Sequence, residues 1–247
     1  MDDNETPAYT LAGGLRVQDF SVDAAVRACR TLVDAGRTVH VCTLNPELAE
    51  LALADPSYKD VLDAAHLTTI DGVGISLAVL RQHGRFPGRV TGVSILHALA
   101  RDAAAHGREV IIIGASDASR REAEARLRAR GITVREGISP MVNADGTGHP
   151  LPVEMIPPGG LVVAAMGSPK QEFWIRRQLE RGGPPAVYVG VGGAVDYVSG
   201  ATPTPPKILR RLGMQWLYRL VTEPGTRMER QRRTLPRFVW RQVVRGR

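Results

Sequence analysis

Short apolar runs recur along this chain, and each stops at a glycine or polar cluster before a helix-forming stretch begins. Glu109-Val-Ile-Ile-Ile-Gly114 leads into Ala-Ser-Asp-Ala-Ser119 and an Arg-, Glu-, Ala- and Leu-rich segment closed by Gly131. Leu161-Val-Val-Ala-Ala-Met166 leads into Gly167-Ser-Pro-Lys170 and a helix from about Gln171. Ala186-Val-Tyr-Val-Gly190 leads into Gly192-Gly193-Ala-Val-Asp196. A run with no polar face predicts a strand buried on both sides, and such strands need helices above and below them. The same reasoning makes a strand of Thr38–Thr43, a helix of Asn45–Ala54 with proline at its first position, and a strand of His66–Ile70 ended by Asp71-Gly72-Val73-Gly74. After a leader, Ser21–Gly36 reads as a helix between its N-cap and its closing glycine. Ile132–Arg135 reads as a returning strand, and Met141–Gly160, rich in Pro and Gly, as a surface loop. The predicted fold is α/β, a Rossmann-like, mostly parallel sheet with helices on both faces.

Charge divides the chain more sharply than hydropathy does. The whole chain carries 32 Lys/Arg against 25 Asp/Glu, and residues 207–247 alone hold 12 against 2, leaving 20 against 23 for residues 1–206. The basicity therefore belongs to the tail. Ala201-Thr-Pro-Thr-Pro-Pro206 is a stiff break before it. This predicts a Rossmann-like domain over 1–206 and a basic amphipathic helical appendage over 207–247. Leu209, Leu212, Trp216, Leu217, Leu220 and Val221 fall on one side of a helix in that appendage, and Phe238, Val239, Trp240 and Val243 give its last helix an apolar flank. A basic tail on a mildly acidic body calls for an anionic partner: nucleic acid, an acidic membrane surface or a phosphorylated substrate. Cys29 and Cys42 make neither a disulfide framework nor a CxxC pair, which suits a reduced, cytoplasmic setting. The polar, acidic first ten residues predict no signal peptide, and no window nears the ~18 apolar residues of a membrane span.

In a parallel sheet, ligands sit beyond the carboxyl ends of the strands. Residues expected to converge there are Thr43 and Asn45, Asp71, Gly114 to Ser116, Gly167 to Gln171 including Pro169, and Gly193 with Asp196. A partly desolvated carboxylate at Asp71 would suit a general base, and helix N-capping is the competing reading. Gly114–Ser119 either aims peptide N–H groups at a diphosphate or makes an ordinary strand-to-helix turn. Gly167-Ser-Pro-Lys-Gln-Glu172 sets an amide, a cation and a carboxylate at the mouth of a helix, for binding or for capping. Gly192–Asp196 allows close backbone approach, with Asp196 able to accept from a sugar hydroxyl or to cap a helix. Phosphate-loop, dinucleotide and nucleophile-elbow fingerprints are absent, and the His and Asp spacings offer no metal site.

Taken in order, Thr43-Leu-Asn-Pro-Glu47, Asp71-Gly-Val-Gly74, Arg89-Val-Thr-Gly92, Met166–Glu172, Gly190–Asp196 and Gly213–Leu220 with Glu223-Pro224 resemble the WecG/TagA/CpsF glycosyltransferase family. The resemblance implies inverting, metal-independent transfer, without a cofactor, of an N-acetylmannosamine-type or related sugar. The donor would be a UDP-sugar and the acceptor a sugar on undecaprenyl diphosphate, in cell-surface polysaccharide synthesis. It implies Asp71 as the base, with Thr43, Asn45, Arg89 and Gln171 around the sugars and Asp196 on the nucleotide side. Arg219, Arg227 and Arg230 would close over the diphosphate, while the tail docks on the anionic inner face of the cell membrane. Departures are Thr204-Pro205-Pro206 for the usual Arg-Ala-Pro, Ser94 for an acidic residue, Gln215 for Glu, and one extra residue in Glu223–Arg227.

Two readings from other classes compete. A nucleic-acid module is disfavoured because the aromatics sit on an apolar helix face rather than a stacking platform, so no nucleic-acid partner is expected. A nucleotide-binding regulator without catalysis would bind UDP but release none from any sugar donor. A homo-oligomer is compatible with the sequence.

Overall fold

The computed structural model describes residues 6–203, 205–206, 209, 218, 232 and 234–246. Among them one sheet runs in the order β1 (Ala8–Leu11), β2 (Leu15–Gln18), β4 (Leu67–Ile70), β3 (Val39–Leu44), β7 (Val187–Gly190), β6 (Leu161–Ala165), β5 (Val110–Gly114). β1 pairs antiparallel with β2, and every other neighbouring pair is parallel. The expected Rossmann-like α/β architecture is what the chain adopts.

Side-chain alternation explains the unbroken apolar runs. Val39 and Val41 of β3 point into one core layer while Cys42 and Leu44 point into the other. Val110 and Ile112 of β5 oppose Ile111 and Ile113 in the same way. With a period of two, both faces must be apolar when helices cover both. One face carries α1 (Val22–Asp34), α5 (Gly92–Ala105), α6 (Asp117–Arg128) and α8 (Ala194–Ser199); the other carries α2 (Pro46–Ala54), α3 (Pro56–Asp63), α4 (Val73–His83) and α7 (Lys170–Arg181). Cys29 and Cys42 lie in different layers as buried free thiols, and burial pushes the Cys29 thiol up to about 12.

Three segments differ from the sequence reading. The leader is a hairpin at the sheet edge, where Tyr9, Leu11, Leu15 and Val17 alternate into the core and Gly13 and Gly14 turn the chain at positive φ. Ile132–Arg135 is not a strand. It meets β5 at one isolated bridge, Val110↔Val134, and the chain bridges to β5 again only at Ile113↔Ile138. Four steps on one chain against three on the other put the two bridges out of register, so no continuous ladder joins them. Met141–Gly160 is largely exposed, yet Leu151 and Ile156 anchor it in the core beside Trp174.

Arg219, Arg227, Arg230 and the apolar face on Leu212, Trp216, Leu217, Leu220 and Val221 lie outside the described residues. Residues 234–246 are described, and they pack inward. Phe238 is fully buried against Pro46, Gly74 and their neighbours, Gln242 bonds Gln82 and the Ala12 carbonyl, and Arg241 pairs with Glu50 at 3.2 Å. Phe238 therefore belongs to the core rather than to an exposed apolar flank, whereas Val239 and Trp240 remain exposed. No helix among the described residues is long and apolar enough to cross a membrane. Phe238→Ala is expected to cost about 3–5 kcal/mol in denaturant unfolding through the cavity it leaves. Trp240→Ala, at an exposed position, should stay within ~0.5 kcal/mol.

Candidate active site

The ends of β3 and β4 set the first half of the site. Their parallel register places Thr43 beside Thr69 and Leu44 beside Ile70, and the Asp71 N–H donates to the Leu44 carbonyl at 2.8 Å. Chain 89–92 then crosses the same rim: Val90 N–H donates to the Ile70 carbonyl at 2.9 Å, and Thr69 Oγ1 donates to the Val90 carbonyl at 3.0 Å. This brings the first residue of α5, Gly92, over Asp71, where its N–H donates to Asp71 Oδ2 at 3.2 Å. A methyl on Gly92 would lie 3.7 Å from Thr43 Oγ1 and 3.6 Å from the Val191 carbonyl, so β3, β4 and β7 meet around this residue.

Ser94 makes that placement possible. Thr91 Oγ1 accepts from Ser94 N–H at 3.2 Å while Ser94 Oγ accepts from Thr91 N–H at 2.9 Å. This is a capping box in which serine takes the part usually played by an acidic or amide side chain. The departure at Ser94 thus leaves the helix start, and the N–H that faces Asp71, in order.

Asp71 is half-buried, and its carboxyl is pushed up to about 6. Burial is the larger cause; the Gly92 N–H and the charge of Arg89 pull the other way. Arg89 is half-buried on the same loop, so the structure brings it to Asp71. Asn45 caps α2, its Oδ1 accepting from Glu47 N–H at 2.9 Å and Leu48 N–H at 3.1 Å. Capping is therefore a real role for Asn45; only its amide nitrogen remains to face a ligand. Asp71 does not cap α4, the helix that follows it. Gly72, at φ +91, holds that place before α4 with no side-chain bond.

The second half comes from β6 and β7. Gly167 leaves β6 at φ +80, and Pro169, after a cis peptide bond, starts α7. Gly193 starts α8, and half-buried Asp196 lies in its first turn, where the Asp196 carbonyl accepts from Thr202 N–H at 3.0 Å. Gln171 and Glu172 are buried beneath these loops, not displayed at the mouth of the helix; only Lys170 is exposed there. Burial raises the Glu172 carboxyl.

Gly114 stands apart. β5 is the edge strand, four strand spacings or ~19 Å from β4. Gly114 is buried at φ +95, and the Ser116 hydroxyl after it accepts from Ser119 N–H as a plain N-cap. α2, α4, α5, α7 and α8 all begin at the rim formed by β4, β3, β7 and β6, where their partial positive ends favour anions. Among the described residues, no three His, Cys, Asp or Glu side chains gather as a metal-binding group. The contribution of Gly92 was missed in the sequence, although Thr91-Gly-Val-Ser94 carries the capping-box spacing that signals it.

An open parallel sheet with polar loops and helix starts gathered beyond its central strands defines a ligand-binding protein of the Rossmann-like class. The family model for the glycosyl transferase WecG/TagA/CpsF family matches residues 10–247, nearly the whole chain, and the chain belongs to that family of glycosyltransferases.

A carboxyl held near 6 binds its proton more tightly folded than unfolded. Its ionisation therefore costs stability as pH rises from about 4 to 6, and the cost persists above that range. Asp71→Asn keeps an acceptor for Gly92 and removes the charge. Denaturant unfolding should find it more stable than the parent at pH 8 by on the order of 1–3 kcal/mol, and equal at pH 4.

Proposed function

We propose that the protein is an inverting, metal-independent glycosyltransferase that moves a sugar from a UDP-sugar onto an undecaprenyl-diphosphate-linked sugar, in building a bacterial cell-surface polysaccharide. A sugar-nucleotide donor and a lipid-linked acceptor are what the family implies in general terms. The single observation that carries the chemistry is Asp71, a desolvated carboxyl near 6 on a rim shared with Thr43, Asn45 and Arg89.

In this reading Asp71 removes the proton from the acceptor hydroxyl as its oxygen attacks the anomeric carbon. The bond to the nucleotide breaks on the opposite face, and UDP departs with the electron pair, which inverts the configuration. The Gly92 N–H and Arg89 hold the carboxylate in place before the reaction. The Gly167 and Gly193 loops and Asp196 receive the nucleotide end, and the helix starts around them favour its negative charge. Arg219, Arg227 and Arg230 would supply the cations for the departing diphosphate, each charge-assisted bond being worth ~1.5–3 kcal/mol. Gly114, on the edge strand, is the candidate with least support.

The same proposal sets the enzyme on the anionic inner face of the membrane. Exposed Leu77, Leu80, Phe86, Val239, Trp240 and Val244 lie among exposed Arg81, Arg85, Arg237, Arg241 and Arg245. Basic residues near such a surface contribute ~1 kcal/mol each. Replacing Trp240 and Val244 together by serine should weaken binding to anionic vesicles without lowering the unfolding midpoint; undiminished binding would remove these residues from the docking face.

A panel of UDP-sugars offered with a lipid-diphosphate-linked N-acetylglucosamine, scored by UDP release with and without EDTA, identifies the donor. Asp71→Asn should lower turnover by about 10²–10⁴-fold while UDP affinity stays within about twofold. Retained turnover would rule out Asp71 as the base.

A further inference from the structure

The resemblance assigns Gln171 to the sugars, but its hydrogen bonds point elsewhere. The side chain is 3% exposed and that of Glu172 is 1% exposed. Gln171 Oε1 accepts from Gly167 N–H at 3.2 Å and from Gly192 N–H at 3.0 Å. Its Nε2 donates to Glu172 Oε1 at 2.7 Å and to Ser168 Oγ at 3.3 Å. A primary amide has two lone pairs on oxygen and two N–H hydrogens. All four are engaged within the protein, which leaves none for a substrate. The oxygen and nitrogen ends are also distinguished, because only oxygen can accept from two peptide N–H groups.

Each bond joins a different part of the rim. Gly167 follows β6 and Gly192 follows β7, so one buried carbonyl ties together the two loops between neighbouring strands. Glu172 fixes the other end of the amide, and Ser168 Oγ donates to the same Glu172 Oε1 at 2.9 Å. Gly190 completes the fit. A methyl there would lie 2.9 Å from Gln171 Nε2 and 3.1 Å from Glu172 Oε1, so only glycine lets the amide lie flat against β7. Nothing in the arrangement requires Glu172 to be ionised. Its bonded oxygen accepts, which the carbonyl oxygen of glutamine would do equally well.

We infer that Gln171 and Glu172 are positioning residues, a buried amide–carboxyl clamp that holds the Gly167 and Gly192 loops at the spacing the nucleotide end of the donor requires. The functional half of this inference rests on the donor reading of those loops given above. The clamp acts through the loops and shares no hydrogen bond with Asp71, so its loss falls on donor KM before it falls on kcat.

Amide exchange in the ligand-free, full-length protein, resolved by NMR at Gly167 and Gly192, tests the clamp without reference to activity. Gln171→Met removes all four bonds at similar volume and should speed exchange at both glycines by about five- to ten-fold. The same variant should raise the Kd for UDP and the donor KM by a comparable factor, with a smaller change in kcat. Glu172→Leu should reproduce part of both effects, and Glu172→Gln should recover most of what Glu172→Leu loses. If Gln171→Met does not fold, Gly190→Ala displaces the amide instead and should give the same pattern. Unchanged exchange at Gly167 and Gly192 would overturn the clamp, as would a collapse of kcat with UDP affinity and donor KM intact, which would make Gln171 a direct substrate contact. Glu172→Gln as damaging as Glu172→Leu would overturn the role of Glu172. Failure of UDP to bind the parent protein would instead overturn the donor reading, leaving the exchange result to decide the clamp alone.

Discussion

The Asp71 carboxylate receives one backbone N–H, from Gly92, and lies near the charge of Arg89, while burial disfavours its own charge. Much of the rim is arranged around that bond. Gly92 reaches Asp71 because segment 89–92 is stitched onto β4 through Val90 and Thr69, and because Thr91 and Ser94 start α5 at that point. Gly92 also packs against Thr43 and Val191, so three strands meet where one peptide donates. That N–H and the charge of Arg89 partly offset the burial without cancelling it. That balance leaves the carboxyl near 6: ionised at neutral pH, yet basic enough to take a proton from a hydroxyl.

The second half of the rim is held by a different device. On the Asp71 side a main-chain donor restrains a side chain. Around β6 and β7 a buried side chain restrains the main chain, through Gln171 and the two glycine loops. In the proposed transfer, the group that would move a proton and the loops that would receive the nucleotide are thus held by different hydrogen bonds.

The sheet was legible in the sequence because its central strands are buried on both faces and read as unbroken apolar runs. Thr38–Thr43, His66–Ile70 and the later runs each lie within a residue or two of an observed strand. The hairpin of β1 and β2 was harder to see, since two four-residue strands supply only two inward side chains each. Ile132–Arg135 looked like a strand because composition carries no sign of the register mismatch that limits its pairing to an isolated bridge. Asp71 and Asn45 were legible as residues that follow strands, and Thr43 as a polar residue at a strand's end. Their partners were not, because Gly92 acts through its backbone and the contact spans 21 residues. Gln171 and Glu172 misled for a related reason: a polar cluster after a strand reads as displayed, and only three-dimensional packing reveals that Gly190 opens a buried place for it.

The central claim is that a carboxyl titrating near 6 must be ionised for transfer to proceed. The pH dependence of kcat/KM for the donor, measured with acceptor held far below its own KM so that the free enzyme is the species that titrates, addresses it most directly. The expected profile is flat above pH 7 and falls about ten-fold per unit below a midpoint near 6. A profile that stays level down to pH 4.5 would contradict the account, because Asp71 would then be protonated through most of that range without consequence.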